Sequence, residues 1–370
     1  MNAKKNILII TIGLDGGGAE KIVTTLAENL HSVFNLHLVT FKNSGIYLDR
    51  VKSVLGTSFQ ALDIVERNTI KKILVIRKII KTIQPDKIIS FLYYPNLVTF
   101  LANLALGTEH IACERSCHRF YFKSRVKDYI WKFLMYFMYK QVRFIVANSN
   151  RMAEFIHTDF GVDPQKIIVI PNGIDFGQID QLQAEPLNDY SFSPERNTII
   201  SVGRLSSEKN YPLLLHAVQR LREKHTNVDL LILGDGILKS DLQQLCNTLH
   251  ISENVRFLGF QPNPYKYLKY SQVFVLTSNY EGFPNSLLEA MYVMGNVMFT
   301  DCDVGPSEII TSNVDGILTK VGDVNELADA LEKMLFNQQF RQEVYRNSRN
   351  KIINFSHRKM IADFRFLLER

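Results

Sequence analysis

The chain has 370 residues, more than one ordinary hydrophobic core accommodates, so two domains of about 150–200 residues each are expected. Hydrophobic residues make up 46% and charged residues 22%, which is the balance of a globular protein and excludes a low-complexity or repetitive chain. The formal net charge is +6, but residues 115–143 alone hold eight Lys or Arg against one Asp, so the positive charge is local.

Two features of the sequence bear on the cellular compartment. A basic start precedes the apolar residues 7–12, but this run is short and is followed by Asp15 and Gly16, so a buried first strand is favoured over a signal peptide. Because no run of about 20 apolar residues occurs, no helix is expected to span a membrane. The cysteines lack a zinc-site spacing and are interpreted as reduced cytosolic thiols: Cys113, Cys117, Cys246 and Cys302.

The first half of the chain alternates short apolar runs with helical patterns. Helices are predicted at residues 19–30 and 70–83, the second of them basic and amphipathic. Strands are predicted at residues 7–12, 36–41, 87–91, 110–113 and 144–147. Continuous apolar strands separated by helices are typical of a parallel sheet covered on both faces, so this half is predicted to be a doubly wound α/β domain.

The domain boundary is predicted where an apolar run ends in a turn signal. Residues 167–170 lead into Pro171, Asn172 and Gly173, and a polar stretch follows at residues 178–197. The domains are therefore assigned to residues 1–173 and 174–355, and a final helix within 356–370 is expected to fold back over the first domain.

The second half repeats the α/β pattern. Strands are predicted at residues 198–202, 229–233, 255–257, 273–276 and 296–300. Helices are predicted at residues 212–224, 238–249, 284–293 and 324–335. The predicted fold class is two doubly wound parallel-sheet domains with a cleft between them, in which ligands bind at the carboxyl ends of the strands.

A glycine-rich turn follows the first predicted strand. Gly16, Gly17 and Gly18 lie directly before a helix, where glycine permits close backbone approach and the helix N-terminus favours an anion. The pattern is not the Gly-x-Gly-x-x-Gly dinucleotide fingerprint, and no Walker Lys-Ser/Thr follows. A phosphate or acceptor contact and a plain tight turn remain equal alternatives.

Two cations follow the first strand of the second half. Arg204 and Lys209 lie in a strand-to-helix loop, where both could reach a ligand at the strand ends. A diphosphate requires such groups, Arg for forked hydrogen bonds and Lys as a point charge. The alternative is that both are solvated loop charges.

Two carboxylates flank the start of the helix predicted at 284–293. Glu281 lies in a loop after a strand, and Pro284 suits a first helical turn. Glu289 lies on an apolar stretch of the helix, where a carboxylate is costly unless it finds partners such as two ribose hydroxyls. The amides near residues 285–287 are candidates for a phosphate, and the alternative for Glu289 is a structural pair.

Together these motifs resemble the retaining nucleotide-sugar glycosyltransferases of the glycosyltransferase family 4 type, whose GT-B fold has two facing Rossmann-like domains. The resemblance runs in order from about residue 6 to residue 340. The matching elements are residues 16–20, 146–149, 170–175, 202–205, 209–210, 233–236, 257–259, 281–290, 305–308 and 315–316.

The resemblance implies a donor site formed mainly by the second domain. Arg204 and Lys209 are implied to neutralise the donor diphosphate and to stabilise the departing nucleotide. Glu289 is implied to accept hydrogen bonds from the ribose hydroxyls. The other implied donor-binding residues are Gly17, Gly18, Phe260, Gly282, Phe283, Pro284, Asn285, Ser286 and Leu287.

Catalysis is implied to involve Glu281, which faces the donor sugar, together with Arg204 and Lys209. The family retains the anomeric configuration, and the usual proposal is front-face attack in which the leaving phosphate accepts the acceptor's proton. No metal or other cofactor is expected. Asp301-Cys302-Asp303 matches a D-x-D pattern, but a hard cation needs several converging oxygen ligands.

The acceptor side departs from the family pattern. Many relatives carry a His near the end of a first-domain strand, and the corresponding stretch here is residues 112–118. Glu114, Arg115 and His118 are therefore alternative acceptor-side residues. The usual Gly-x-Pro after the Glu289 helix is also altered, since its Pro is replaced by Val297.

A basic aromatic segment at residues 119–140 interleaves Lys and Arg with nine aromatic side chains, among them the only tryptophan, Trp131. This composition favours an interfacial helix on an anionic bilayer, where each basic residue contributes about 1 kcal/mol, or a grip on the phosphates of a lipid-linked acceptor. A core helix with a solvated basic face is the alternative. No nucleic-acid module accompanies the segment, so no nucleic-acid partner is expected.

The sequence therefore leads to one hypothesis and two alternatives. The hypothesis is a cytoplasmic transferase, peripheral at the inner face of the cell membrane. It moves a hexose or N-acetylhexosamine from a UDP-sugar to a lipid-linked or envelope polysaccharide acceptor, as in lipopolysaccharide synthesis. The alternatives are a nucleotide-sugar 2-epimerase of the same two-domain fold and a non-catalytic nucleotide-sugar binder.

Overall fold

A computed structural model describes residues 4–63, 68–115 and 125–370, except for the side chains of residues 125–128. The chain divides into two compact units. The first unit comprises Met1–Asn172 and His357–Arg370, and the second comprises Gly173–Ser356. Gly173 lies in the second unit, and the C-terminal helix lies in the first.

The first unit is built on a parallel sheet that, within the described residues, has seven strands in the order β3-β2-β1-β4-β5-β6-β7. The strands are β1 (Asn6–Thr11), β2 (Asn35–Thr40), β3 (Phe59–Ala61), β4 (Lys87–Phe91), β5 (Glu109–Glu114), β6 (Phe144–Ala147) and β7 (Ile167–Val169). The helices between them are α1 (Gly18–Leu30), α2 (Leu48–Leu55), α3 (Thr69–Ile83), α4 (Tyr93–Asn103), α5 (Arg125–Gln141) and α6 (Asn150–Phe160).

Helices cover both faces of this sheet, which explains why its strands are apolar throughout. On β1, Ile7 and Ile9 join a core cluster with α1 and α2. Leu8 and Ile10 point to the opposite face and join the cluster formed with α3 and α4. Successive strand side chains alternate between faces, so both sets must be hydrophobic.

The second unit has a six-stranded parallel sheet in the order β10-β9-β8-β11-β12-β13. The strands are β8 (Asn197–Val202), β9 (Val228–Leu233), β10 (Val255–Gly259), β11 (Val273–Leu276), β12 (Val297–Thr300) and β13 (Ile317–Thr319). The helices are α7 (Phe176–Gln183), α8 (Tyr211–Lys224), α9 (Lys239–Thr248), α10 (Tyr265–Leu268), α11 (Asn285–Val293), α12 (Pro306–Ile309), α13 (Val324–Phe336) and α14 (Gln338–Ile352).

The last helix, α15 (His357–Glu369), belongs to the first unit. Met360, Phe364, Leu367 and Leu368 are buried in the same core cluster as β1 and α1. These positions follow the i, i+4, i+7, i+8 spacing of an apolar helix face.

Strand order reverses between β1 and β4 in the first sheet and between β8 and β11 in the second. At such a switch point neighbouring loops diverge and leave a crevice at the carboxyl ends of the strands. Both units are therefore doubly wound, Rossmann-like domains, and the candidate residues of the second unit follow strands on both sides of its switch point.

Two further features concern membranes and thiols. Among the described residues, no helix has the length and hydropathy required to cross a bilayer. Cys113, Cys246 and Cys302 are buried free thiols, and Cys117 lies outside the described residues.

Candidate functional site

Two loops at the carboxyl edge of the second sheet are tied together through their backbones. One is the loop at residues 203–210 after β8, and the other is the loop at residues 277–284 after β11. The Thr277 hydroxyl lies 3.0 Å from the carbonyl oxygens of both Lys209 and Asn210. The backbone amide of Asn279 donates to the carbonyl of Glu208 at 2.8 Å. These bonds fix the two loops relative to each other.

Lys209 and Glu281 form an ion pair between these loops. The Lys209 ammonium lies 2.5 Å from Oε1 of Glu281, and the Ser278 hydroxyl donates to the same oxygen at 2.7 Å. The side chains of Lys209 and Glu281 are only 16% and 14% exposed, so their attraction is screened less than that of a surface pair. The predicted cation and carboxylate are thus brought into direct contact.

Arg204 differs from Lys209 in its surroundings. Its side chain is exposed, and within the described part of the chain no hydrogen bond or ion pair engages its guanidinium. Arg204 therefore presents all its donors to solvent at the strand end, and its orientation is not fixed by protein contacts.

Two glycines allow the 203–210 loop to pack tightly against the loop after β9. Gly234 has φ +140°, and a Cβ there would lie 1.9 Å from the carbonyl oxygen of Gly203. A Cβ on Gly236 would lie 2.3 Å from the carbonyl oxygen of Leu205. Only glycine permits these approaches, so the matched residues 233–236 place the loop that carries Arg204.

The helix α11 begins at Asn285 with Pro284 as its N-cap residue. Phe283 and Leu287 are buried in the core, and Asn285 and Ser286 are half-buried. The Leu287 amide donates to the carbonyl of Pro284 at 3.2 Å, so that amide is already engaged. Among the candidate amides near residues 285–287, the Leu287 amide therefore already has a partner within the helix turn.

Three further predicted donor residues occupy different settings at this edge. Glu289 is 9% exposed within α11, among buried apolar neighbours. Phe260 follows β10 and is 56% exposed, so its ring is available to a ligand. Gly282 is buried. A Cβ on Gly305 would lie 2.6 Å from the carbonyl oxygen of Gly282, so the glycine at position 305 allows the loop after β12 to pack closely against the loop after β11.

Tyr211 and Cys302 are buried beside this pair, and their raised pKa values keep both side chains protonated at neutral pH. Burial is the main cause that raises the pKa of Tyr211, and the Glu281 charge adds to it. The Tyr211 hydroxyl donates to the carbonyl of Gly203 at 3.1 Å. Burial, with the charge of Glu281, also raises the pKa of Cys302 to about 12. Both side chains support the loops.

The sequence did not single out Ser278, Thr277 or Tyr211. Thr277 and Ser278 directly follow the apolar strand β11, and Tyr211 is the first residue of α8. Polar residues immediately after a buried parallel strand are the signal that was available, since they lie at the ligand edge of the sheet.

In the first unit, Gly17 is the N-cap residue of α1, and Gly18 is its first residue. Gly18 is exposed and Gly17 half-buried. The preceding Asp15 accepts from the Lys42 ammonium and the Ser44 hydroxyl, both at 3.0 Å. These bonds connect the glycine turn to the loop after β2.

Glu114 ends β5 and is completely buried. Its Oε1 accepts from the Asn96 amide at 2.8 Å and from the Tyr139 hydroxyl at 2.9 Å. Asn96 accepts in turn from Ser90 at 2.6 Å, and Ser90 lies 2.7 Å from Nε2 of His110. The predicted acceptor-side carboxylate is thus part of an internal polar network.

Arg115 is 7% exposed and packs inside the first unit. Its guanidinium lies over the rings of Phe91 and Phe364, at 5.6 and 5.4 Å from their centroids. It donates to the carbonyl of Ile170 at 3.2 Å, and burial lowers the pKa of this side chain. The third candidate, His118, lies outside the described residues.

The burial of His110 in the network around Glu114 predicts that the free energy of unfolding depends on pH. Burial lowers the pKa of His110 from 6.5 to about 3, so the unfolded state binds more protons between these values. The contribution of neutral His110 to the free energy of unfolding is complete above pH 6.5 and is lost as the pH falls toward 3. This free energy should fall by about 2 kcal/mol between pH 7.5 and 5. Calorimetry should show a shallower pH dependence for His110→Gln. An equal dependence in both proteins would disprove this account.

The D-x-D match does not extend into a larger cluster. Asp301 and Asp303 are exposed, whereas the intervening Cys302 is buried. Among the described residues, no group of three or more His, Cys, Asp or Glu side chains is arranged to hold a metal ion.

Comparison with known proteins identifies the family of both units. Residues 16–178 match Glycosyltransferase Family 4, and residues 185–351 match Glycosyl transferases group 1. The two matches leave only the chain ends and a short connecting stretch outside.

Individual relatives agree with these matches. An N-acetylgalactosaminyltransferase of Campylobacter jejuni is 29% identical over 370 residues, covering 97% of this chain and 98% of its own. An uncharacterized glycosyltransferase of Methanocaldococcus jannaschii is 30% identical over 338 residues, covering 81% of this chain and 83% of its own. The structure of Anabaena HepE with UDP and glucose superposes with a TM-score of 0.81 at 18% identity, covering 99% of each chain. The chain therefore belongs to the family 4 type of glycosyltransferases, with the GT-B fold.

Proposed function

We propose that the chain is a retaining transferase that moves a hexose or N-acetylhexosamine from a UDP-sugar to a lipid-linked glycan acceptor. The Campylobacter jejuni relative is named for transfer of N-acetylgalactosamine to a saccharide on diphospho-undecaprenol. The structural relative from Anabaena binds UDP and glucose. The first name supports a lipid diphosphate acceptor for this chain, and the second supports a nucleotide-sugar donor.

The observation that carries the proposal is the partly buried ion pair between Lys209 and Glu281 at the switch-point edge of the second sheet. An ammonium held by one carboxylate oxygen keeps further donors for a second anion. We infer that these donors bind the donor diphosphate, and that charge developing on the departing nucleotide strengthens the contact. Glu281 then orients Lys209 and faces the sugar.

The remaining residues are assigned around this pair. Arg204, exposed at the same edge, adds a second cation to the diphosphate. Glu289 accepts from the ribose hydroxyls, and the exposed ring of Phe260 stacks on the base. With two protein cations on the diphosphate, we propose transfer that needs no divalent metal.

The test begins with a thermal-shift screen of UDP-, GDP- and ADP-sugars. A UDP-sugar at about 100 times its Kd should raise the melting temperature by about 5 °C. NMR of the product formed on a lipid diphosphate acceptor should show a retained anomeric configuration, and EDTA should not slow transfer. Inverted product would overturn the retaining mechanism. Epimerised UDP-N-acetylhexosamine in the absence of acceptor would replace transfer with epimerisation.

A second proposal concerns the membrane: we propose that α5 binds the surface of an anionic bilayer. Its side chains facing the core are Met135, Met138 and Tyr139. Its opposite face exposes large apolar side chains along successive turns: Tyr129, Ile130, Phe133, Tyr136 and Phe137. The exposed Lys132 and Lys140 lie on the same helix. An apolar face flanked by cations is typical of helices that lie in a membrane interface.

Vesicle co-sedimentation tests this surface with a matched control. Phe133 on α5 and Phe366 on α15 are both 62% exposed. The Phe133→Ser/Phe137→Ser double variant should lower partitioning onto phosphatidylglycerol-containing vesicles by about tenfold or more, because two aromatic side chains no longer insert. Phe366→Ser should bind like the unmodified protein. Equal binding by all three proteins would refute the α5 surface.

A further inference from the structure

We propose that the first unit contains a phosphate-binding subsite whose cation is Lys72. A cavity of about 430 Å³ opens at the carboxyl edge of the first sheet. It is lined by residues that follow β1, β2 and β3 and by the start of α4, among them Phe41, Lys42, Ser44, Asp63 and Tyr94. Its size is that of a small-molecule site, and its position is where doubly wound sheets bind ligands.

Lys72 is an unusual lysine because it is only 8% exposed. It lies in the first turn of α3, where the partial positive charge of the helix N-terminus disfavours a second positive charge. Lysine is almost never buried without a charged partner. Its burial therefore needs an explanation.

The surroundings of this ammonium, among the residues that the structure describes, are aromatic and hydroxylic rather than anionic. Its Nζ lies 3.4 Å from the Tyr94 hydroxyl and over the rings of Phe41 and Tyr94, at 5.3 and 5.1 Å from their centroids. Within the described ranges, no carboxylate lies within ion-pair distance of it. The rings and the hydroxyl hold the ammonium in place without neutralising it, which leaves donors for an anion that enters the cavity.

Among the described lining residues, Lys72 is the cation left for an anion. Lys42 is paired with Asp15, which also accepts from the Ser44 hydroxyl. Asp63, the acidic side chain among the described lining residues, is exposed, so solvent screens its charge. Phosphate oxygens accept hydrogen bonds from an ammonium and carry the negative charge that Lys72 lacks among the described residues.

The ligand chemistry is a phosphate or diphosphate group, and it can come from two sources. One is the diphosphate of a lipid-linked acceptor, an assignment that rests on the proposed function. The other is a free phosphate or diphosphate. The same edge carries the glycine turn at residues 16–18, which Asp15 connects to Lys42 and Ser44.

The first experiment measures binding of inorganic pyrophosphate by calorimetry. The full chain carries Arg204→Ala and Lys209→Ala in every sample, so that the proposed donor residues do not contribute. Adding Lys72→Met, which keeps an unbranched apolar stem, should weaken binding about tenfold or more. Lys71→Met, on the exposed neighbour, should leave it within about twofold. Equal affinity in all samples would overturn the subsite. Lys72→Gln serves as a second variant, and circular dichroism shows whether each variant folds, so that a loss of affinity in a folded variant reports the missing ammonium.

The second experiment identifies the source in the protein with an unmodified donor site. Lys72→Met should raise KM for a lipid diphosphate acceptor about tenfold, with kcat and the donor Kd nearly unchanged. A phosphate-free glycoside acceptor should show no change in KM. An unchanged KM for both acceptors, with pyrophosphate binding lost, would assign the site to a free anion and overturn the acceptor role. Absence of any nucleotide-sugar binding would refute the proposed function, while the pyrophosphate result would still decide the subsite.

Discussion

Replacing Lys209 with methionine is expected to lower kcat for sugar transfer by about 10²- to 10³-fold. The ammonium is mostly shielded from water and held by Glu281, so it is positioned before the nucleotide departs. Methionine preserves the stem but removes the charge that would stabilise the leaving diphosphate. The measurement is steady-state UDP release with donor and acceptor varied separately.

Arg204→Ala should act in the same direction, with a loss of about 10²-fold. Because this guanidinium has no partner in the described residues, its removal should leave folding unchanged. The control is Arg220→Ala, which removes another exposed cation, on α8. If both variants turn over like the unmodified protein and fold correctly by circular dichroism, the diphosphate assignment is wrong.

The second large effect is expected for Glu281→Gln, with a loss in kcat of about 10²-fold. Glutamine keeps the volume and can still accept from Ser278, but it no longer holds Lys209 by charge. Because the two side chains touch, the Lys209→Met/Glu281→Gln double variant should lose less than the product of the single effects.

The exposed Glu223 on α8 supplies the control, since Glu223→Gln makes the same chemical change away from the strand ends. Glu223→Gln should transfer sugar at the unmodified rate. Strictly multiplicative losses in the double variant would show that Glu281 and Lys209 act independently, which contradicts the role assigned to their contact.

Much of the fold could be predicted because burial on both faces leaves a strong pattern. On β1 the two sets of alternate residues enter different core clusters, so the strand is apolar along its whole length. The strands β3 and β13 were not predicted, since each has three residues and lies at a sheet edge. Short edge strands bury too little surface to impose a pattern.

The candidate site could be predicted only in part. Strand ends meet at one edge, so Lys209 and Glu281 could be placed near each other, but their contact joins positions 72 residues apart. Glu114 was one of three alternative acceptor-side residues, and the structure encloses it with Asn96 and Tyr139, 18 and 25 residues away. Lys72 lies in a helix that the sequence describes only as basic and amphipathic. Such three-dimensional pairings leave no local signal.

We propose that the carboxyl edge of the second sheet binds a nucleotide-sugar diphosphate. Hydrogen–deuterium exchange of the full chain, with and without a saturating UDP-sugar, locates the donor on the chain. Slower exchange is expected in peptides covering residues 203–210 and 280–289, with unchanged exchange in α13. Saturated binding that protects neither loop would overturn this assignment.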